Sequence, residues 1–205
     1  MRTILLTLCL FMGTILSAQN NVLIEIENAN AAYKVITGDF VRTQTNVAKG
    51  TSIKADGTLY IVGEDQMAQY YKAPSTDLLI INGNDFYMIR GKKTNKFNTE
   101  KNKTMRSLRN TLLYCVHGKP MVLATENGAE ITAEKKENEY EVVLISTKKT
   151  ARGYAKIVLT YDLKSKLLTK MRMDEYNGNS TLYEMNNLKT NGNIDAKVFD
   201  IPEKK

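Results

Sequence analysis

Over most of the chain, apolar and polar side chains alternate with the period of two that a half-buried strand requires. Strand chemistry is predicted over residues 53–62, 67–71, 78–81, 86–89, 140–147, 154–161, 167–176 and 181–186. Turn residues punctuate these runs: Asn-Gly-Asn at 82–84, 177–179 and 191–193, with Asp56-Gly57 and Asn127-Gly128 besides. Such residues tolerate the positive φ angles of tight turns. Strands that follow one another at roughly 8–12 residue spacing, with no helix between neighbours, predict an antiparallel meander. The clearest hairpin joins Leu78–Ile81 to Phe86–Ile89 through residues 82–85. In the C-terminal strands the two faces separate cleanly. Ile157, Leu159 and Tyr161 oppose Lys156, Val158 and Thr160; Met171 and Met173 oppose Lys170, Arg172 and Asp174; Tyr183 and Met185 oppose Leu182, Glu184 and Asn186. This is a sheet with one apolar and one solvated face. With no tryptophan in the chain, the apolar face draws on Met and Tyr, and methionine packs adaptably against irregular shapes.

Two segments carry a helical period instead. Val22, Ile26, Ala29, Tyr33 and Ile36 form one stripe, predicted to end at Gly38. Met105, Leu108, Leu112 and Cys115-Val116 form a second, ended by Gly118-Lys119-Pro120. The start of the chain is different again. One positive charge at Arg2, an almost wholly apolar run from Thr3 to Leu16 and the small, polar Ser17-Ala18-Gln19-Asn20 follow the order of a secretory leader. The run is shorter than the ~17–25 residues that cross a bilayer, so cleavage is expected after Ala18 or Gln19.

Composition narrows the classes. Apolar residues at 42% and charged residues at 25% are globular values, which exclude a disordered or collagen-like chain. A length of 205 residues fits one medium domain or two small ones. The net charge of +7 falls to +6 once Arg2 is removed with the leader. The positives are scattered in small groups such as Lys92-Lys93 and Lys135-Lys136, with no single basic face for nucleic acid. They suit acidic surfaces such as anionic lipid headgroups.

Catalytic chemistry is hard to assemble. Beyond the leader one cysteine remains, Cys115, so no internal disulfide can form. Cys115 and His117 stand two apart, which on a helix turns them away from each other and precludes a nucleophile–base pair. Cys115 reads as a small apolar helix residue, and His117 as a C-terminal one whose charged form would suit the helix dipole. One histidine in the whole chain argues against a histidine-rich metal site. The chain has no GxSxG, P-loop, GxGxxG or CxxC motif. Neither enzymatic activity nor a metal or cofactor is expected.

The order of elements resembles the outer-membrane lipoprotein carrier family, the LolA-like proteins. The likeness runs through Gly38-Asp39-Phe40-Val41-Arg42-Thr43-Gln44, Gly57-Thr58-Leu59-Tyr60, Tyr71-Lys72-Ala73-Pro74 and Leu79-Ile80-Ile81-Asn82-Gly83. It continues at Cys115-Val116-His117-Gly118-Lys119, Gly178-Asn179-Ser180-Thr181-Leu182 and Phe199-Asp200-Ile201-Pro202. The resemblance implies an α+β, mainly antiparallel fold: a half-open, unclosed β-barrel of about eleven strands with helices covering the cavity mouth. Residues 1–18 would be a cleaved leader and 19–205 a single lipid-carrier domain. Family members hold lipoprotein acyl chains between sheet and helices, receive them from an inner-membrane ABC transporter and deliver them to the outer membrane. The resemblance therefore implies a periplasmic, monomeric carrier of acylated lipoprotein or another lipid, with an outer-membrane acceptor and no nucleic-acid partner. The alternative is a module of this fold that binds another lipid, or senses envelope lipid or stress, without shuttling. Met67, Leu79, Ile81, Ile157, Leu159, Met171, Met173, Tyr183 and Met185 are expected to line the cavity, with Ile26, Leu108 and Leu112 from the helices. The chain departs from the family at Gly63-Glu64, where an Arg-Pro pair associated with holding the helices closed is common. It departs again at Met67 and Gln69, where aromatics are common, and at Arg42, where the family usually has Gln.

Overall fold

The computed structural model describes residues 21–148 and 153–201; the predicted leader lies outside them. Among the described residues are eleven strands, three α-helices and one 3₁₀ helix. After helix α1 (residues 21–31) come strands β1 (Val35–Asn46), β2 (Thr51–Val62), β3 (Gln66–Tyr71), β4 (Leu78–Asn82), β5 (Asp85–Arg90) and β6 (Lys93–Asn98). Helices α2 (Lys103–Val116) and α3 (Pro120–Asn127) lead to β7 (Ala129–Lys135), β8 (Glu139–Ser146), β9 (Tyr154–Asp162), β10 (Leu168–Glu175) and β11 (Ser180–Thr190). A 3₁₀ turn, Ala196–Phe199, follows.

All eleven strands form one sheet in the order β6-β5-β4-β3-β2-β1-β11-β10-β9-β8-β7, and every paired neighbour is antiparallel. Two meanders thus meet at β1 and β11, and the sheet does not close: β6 and β7 are its free edges. The inner face carries one continuous apolar cluster drawn from both halves, against which Leu23 and Ile26 of α1 and Leu112, Leu113, Cys115 and Val116 of α2 pack. This is the half-open barrel the resemblance implies.

The apolar hairpin at 78–89 is buried on both faces for a specific reason. Leu79 and Ile81 face the inner cluster, while Leu78, Ile80 and Tyr87 join Ala68 and Phe199 in a second cluster on the outer side. The C-terminal segment supplies that cover, and Tyr70 fixes it by donating its hydroxyl to the Val198 carbonyl at 2.8 Å.

Four elements differ from the pattern read in the sequence. Helix α1 stops near residue 31, not at Gly38; Ile36 is inward-facing on β1, and Gly38 lies at a register shift between Thr37 and Asp39. The chain must leave the helix early because β1 pairs along its whole length with β2, from Val35 opposite Val62 to Asn46 opposite Thr51. Asp56-Gly57 is not a turn. Strand β2 runs straight through it, and Gly57 is required because an added Cβ would stand 2.2 Å from the Tyr70 carbonyl oxygen and 2.7 Å from the Phe40 ring. Helix α2 ends at Val116, where Gly118 turns left-handed, and Pro120 begins a further helix, α3, where proline at N1 costs no hydrogen bond. Strands β6 and β7 are the fourth difference: both are sheet edges, β6 buries no residue fully, and β7 alternates but with small Ala129 and Ala133 around its one large apolar residue, Ile131.

Candidate functional site

The inner face is the one surface where the predicted residues converge. Met67, Ile81, Ile157, Leu159, Met171, Met173, Tyr183, Met185, Ile26 and Leu112 are buried in a single cluster, and Leu79 and Leu108 pack partly buried against it. The cluster is not uniformly filled. Where β1 and β10 begin and α2 ends, Ile36, Leu59, Ile61, Val116, Leu168 and Met185 enclose only about 10 Å³, less than a water needs. At the opposite end two clefts open. One of about 250 Å³ lies between Ser107, Asn127, Leu144 and Ile157. The other, about 460 Å³, lies between Met105 and Leu108 of α2 and the Glu175–Asn177 turn. Tyr154 borders both. Of the twelve predicted lining residues, Leu108 and Ile157 border these clefts, Met185 lines the packed end, and the others belong to or pack against the cluster without lining any of the three spaces. A third groove, about 790 Å³, runs on the outer side between Asp39, Thr58, Tyr60 and Asp195; it is open, and its lining mixes polar residues with Leu188, Ile194 and Val198.

The helices are held over the inner face by apolar contact and a few directed bonds. In α1, Asn30 Nδ2 donates to the Lys166 carbonyl at 2.8 Å, and just beyond the helix the Tyr33 hydroxyl donates to that of Ser165 at 2.9 Å. Glu25 accepts from the Tyr140 hydroxyl at 2.9 Å and pairs with Lys166 at 2.8 Å. Those bonds, from Lys166 first, hold the Glu25 carboxyl below its ordinary pKa. The corner between α2 and α3 is seated by Tyr161, whose hydroxyl donates to the Cys115 carbonyl at 2.8 Å. Gly118 sits at that corner with φ +64°, and an added Cβ would stand 2.9 Å from Ile26 Cγ2. Helix α1 therefore lies directly on it. Farther along α2, Arg109 Nε donates to the Gly83 carbonyl at 2.8 Å.

The turn between β2 and β3 reaches the same corner by different chemistry from the family pattern. Glu64, where the family often has its Arg-Pro pair, bonds Lys119 Nζ at 2.9 Å. With the Glu64 side chain 79% exposed, the link is worth about 1 kcal/mol or less. The sequence reading of His117 also needs correction. It caps α2, but burial, reinforced by the Lys119 charge, holds its pKa down, so the ring is neutral and contributes no charge to the helix dipole. Cys115 is fully buried, and burial pushes its thiol well up, which leaves it unreactive.

Sequence reasoning missed a polar island within the apolar face. Arg42 follows Phe40 on the inward side of β1, and its guanidinium lies 4.5 Å from the centroid of the Tyr71 ring. Tyr71 in turn packs edge-on against Phe40 at 4.9 Å and donates its hydroxyl to Gln69 Oε1 at 3.4 Å. The signal was present, since Arg42 and Gln69 are both positions where the chain departs from the family. Tyr154 gave no comparable sign. Among the described residues, no group of three His, Cys, Asp or Glu side chains is placed to hold a metal ion, and no helix is long and apolar enough to cross a membrane.

Comparison with known proteins places this geometry. The family model described as outer membrane lipoprotein carrier protein LolA matches residues 31–202. A search of curated proteins found no match. Among solved structures, a DUF1329 family protein from Desulfovibrio piger aligns with TM-score 0.51 at 10% identity, over 91% of this chain and 97% of that one. MucB aligns with TM-score 0.50 at 11% identity, over 92% of this chain and 64% of its own. A LolA superfamily protein from Nitrosomonas europaea gives 0.43 at 8% identity, over 88% and 96%. At these identities the solved structures speak to fold alone.

Proposed function

This chain belongs to the LolA family of outer membrane lipoprotein carriers, and from that premise we propose that it is a periplasmic carrier that shields lipoprotein acyl chains from water. In this reading it takes them from an inner-membrane ABC transporter to an acceptor at the outer membrane. The supporting observation is the apolar inner face shared by both halves of the sheet, covered by three helices and open at one end beside Tyr154. Burying a methylene is worth about 0.8 kcal/mol, so a sixteen-carbon chain leaves on the order of 12 kcal/mol of apolar surface to be hidden during the crossing. No catalytic group is required. Release is easier when binding rests on non-directional contacts, and Met67, Ile157, Leu159, Met171, Met173 and Met185 supply those. The packed end must loosen for a long chain to enter, and the natural movement is of α2 and α3 away from the sheet.

The test is uptake of a fluorescent acyl probe by a Leu108→Glu variant. Leu108 is only partly buried, so the fold should persist while a charge at the cleft lowers probe affinity at least tenfold. Unchanged uptake would count against entry at this end. A second reading, a module of this fold that binds another lipid or senses envelope lipid without shuttling, is favoured by Arg42. A neutral acyl chain has no need of a positive charge on the inner face. An assay of whether the protein draws a lipoprotein from spheroplasts into solution separates the two.

A further inference from the structure

Alternation along β1 points Phe40 and Arg42 to the same side, so the guanidinium is built into the inner face. The register sets Arg42 opposite Ala55 on β2 and Tyr183 on β11. Its Nε is buried, and no protein group accepts that hydrogen. Among the described residues no ion pair includes Arg42. A guanidinium cannot shed its proton, so the charge persists at any working pH. The face of Tyr71 compensates it only in part. Around it the polar groups are loosely paired: Gln69 is buried, yet its amide makes only a 3.4 Å contact with Tyr71 and a 4.0 Å contact with Met67 Sδ. Burial keeps the Tyr71 and Tyr183 phenols protonated, able to donate. Tyr154, on β9, borders both clefts at the open end.

From Arg42 the cross-strand row runs through Tyr183, Met171 and Leu159 to Val142, all buried. Four inter-strand steps cover about 19 Å, close to the ~15 Å spanned by the chains of one bilayer leaflet. We propose that Arg42 receives the anionic head of a single-chain amphiphile, a carboxylate or phosphate, whose acyl tail lies along this row. The guanidinium fork matches two oxygens of such a head, and phenols beside it can donate to them. The proposal rests on the reading that the inner face holds acyl chains, and it adds the class of molecule held.

The experiment is displacement of a neutral fluorescent acyl probe from the full chain by oleate, oleoyl lysophosphatidate, methyl oleate and oleylamine. Oleate, lysophosphatidate or both should bind about tenfold or more tightly than the methyl ester, with oleylamine weakest; which of the two anions is preferred identifies the head. Arg42→Gln should erase that preference while leaving methyl oleate affinity within about twofold. The wild-type ranking alone tests the idea, so it survives a variant that folds poorly. Equal affinity for all four ligands would overturn the role of Arg42 and leave the carrier reading standing. Failure of every ligand, and of the probe itself, would remove both.

Discussion

At one end of the half barrel, Ile36, Ile61, Val116, Leu168 and Met185 close to about 10 Å³ of free space; at the other, clefts of about 250 and 460 Å³ flank Tyr154. Both ends lie beneath the same helix. Helix α2 has its buried residues at Asn110–Leu113, Cys115 and Val116, and none in its first two turns. The helix therefore packs deepest through its last turns, while nearer Lys103 it meets the inner face only through the partly buried Leu108. The packed end is where the covering helices are anchored, by Tyr161, Gly118 and α1, and the open end is where, on the carrier reading proposed above, a guest would begin to enter.

The sharpest way to break this contrast is to place the same charge at both ends. Met185→Glu buries an unpaired carboxylate in the packed end and should destabilise the protein by about 3–5 kcal/mol, roughly 10 °C in Tm. Leu108→Glu should leave Tm within a few degrees and act on ligand affinity instead. Equal losses of Tm would mean the two ends are equally well packed. Gly118→Ala is the next largest. Its positive φ and the 2.9 Å approach to Ile26 should lower stability by about 2 kcal/mol in a thermal melt, and by loosening α1 should speed acyl-probe uptake. Uptake slowed or unchanged would argue that α1 takes no part in opening.

The smallest effect is electrostatic. Because the Glu25 carboxyl is held below 4.5, the pairing with Lys166 contributes stability at neutral pH. That contribution is lost as pH falls through the lowered value. With the carboxylate half exposed, it amounts to under about 1 kcal/mol. Wild type should melt slightly above Glu25→Gln at pH 7, and the two curves should merge on acidification well below 4.5. A gap that persists at low pH would assign the effect to packing.

How legible the molecule was in its sequence follows from burial. Strands β8 to β11 bury one face each, so Ile157-Leu159-Tyr161 and Met171-Met173 announce both the element and the side that faces inward. Leu78–Ile81 announces the strand but not the side, because Phe199, more than a hundred residues later, covers its outer face. Lys93–Asn98 was unreadable as a strand because an edge with little buried surface has no pattern to display, and Ala129–Lys135, although it alternates, carries only two alanines and Ile131 on its inward face. Residues 33–36 misled because Tyr33 and Ile36 continue a helical period that the pairing of β1 with β2 overrides. The lining residues were legible as a set. The distinction between packed and open ends was not, because it depends on how deeply each turn of α2 packs. Arg42 was visible only as an oddity until Tyr71 and Tyr183 were found around it.

One consequence of the topology concerns capacity. Strands β6 and β7 share no ladder, so the barrel has a seam. A closed barrel of fixed strand number and stagger has a fixed girth. Here the wall can spread or tighten by small changes of twist at ten strand junctions without breaking a single inter-strand bond. On the carrier reading proposed above, the girth of what is enclosed would then be set by how far the helical cover lifts, and one chain would accommodate guests of different thickness.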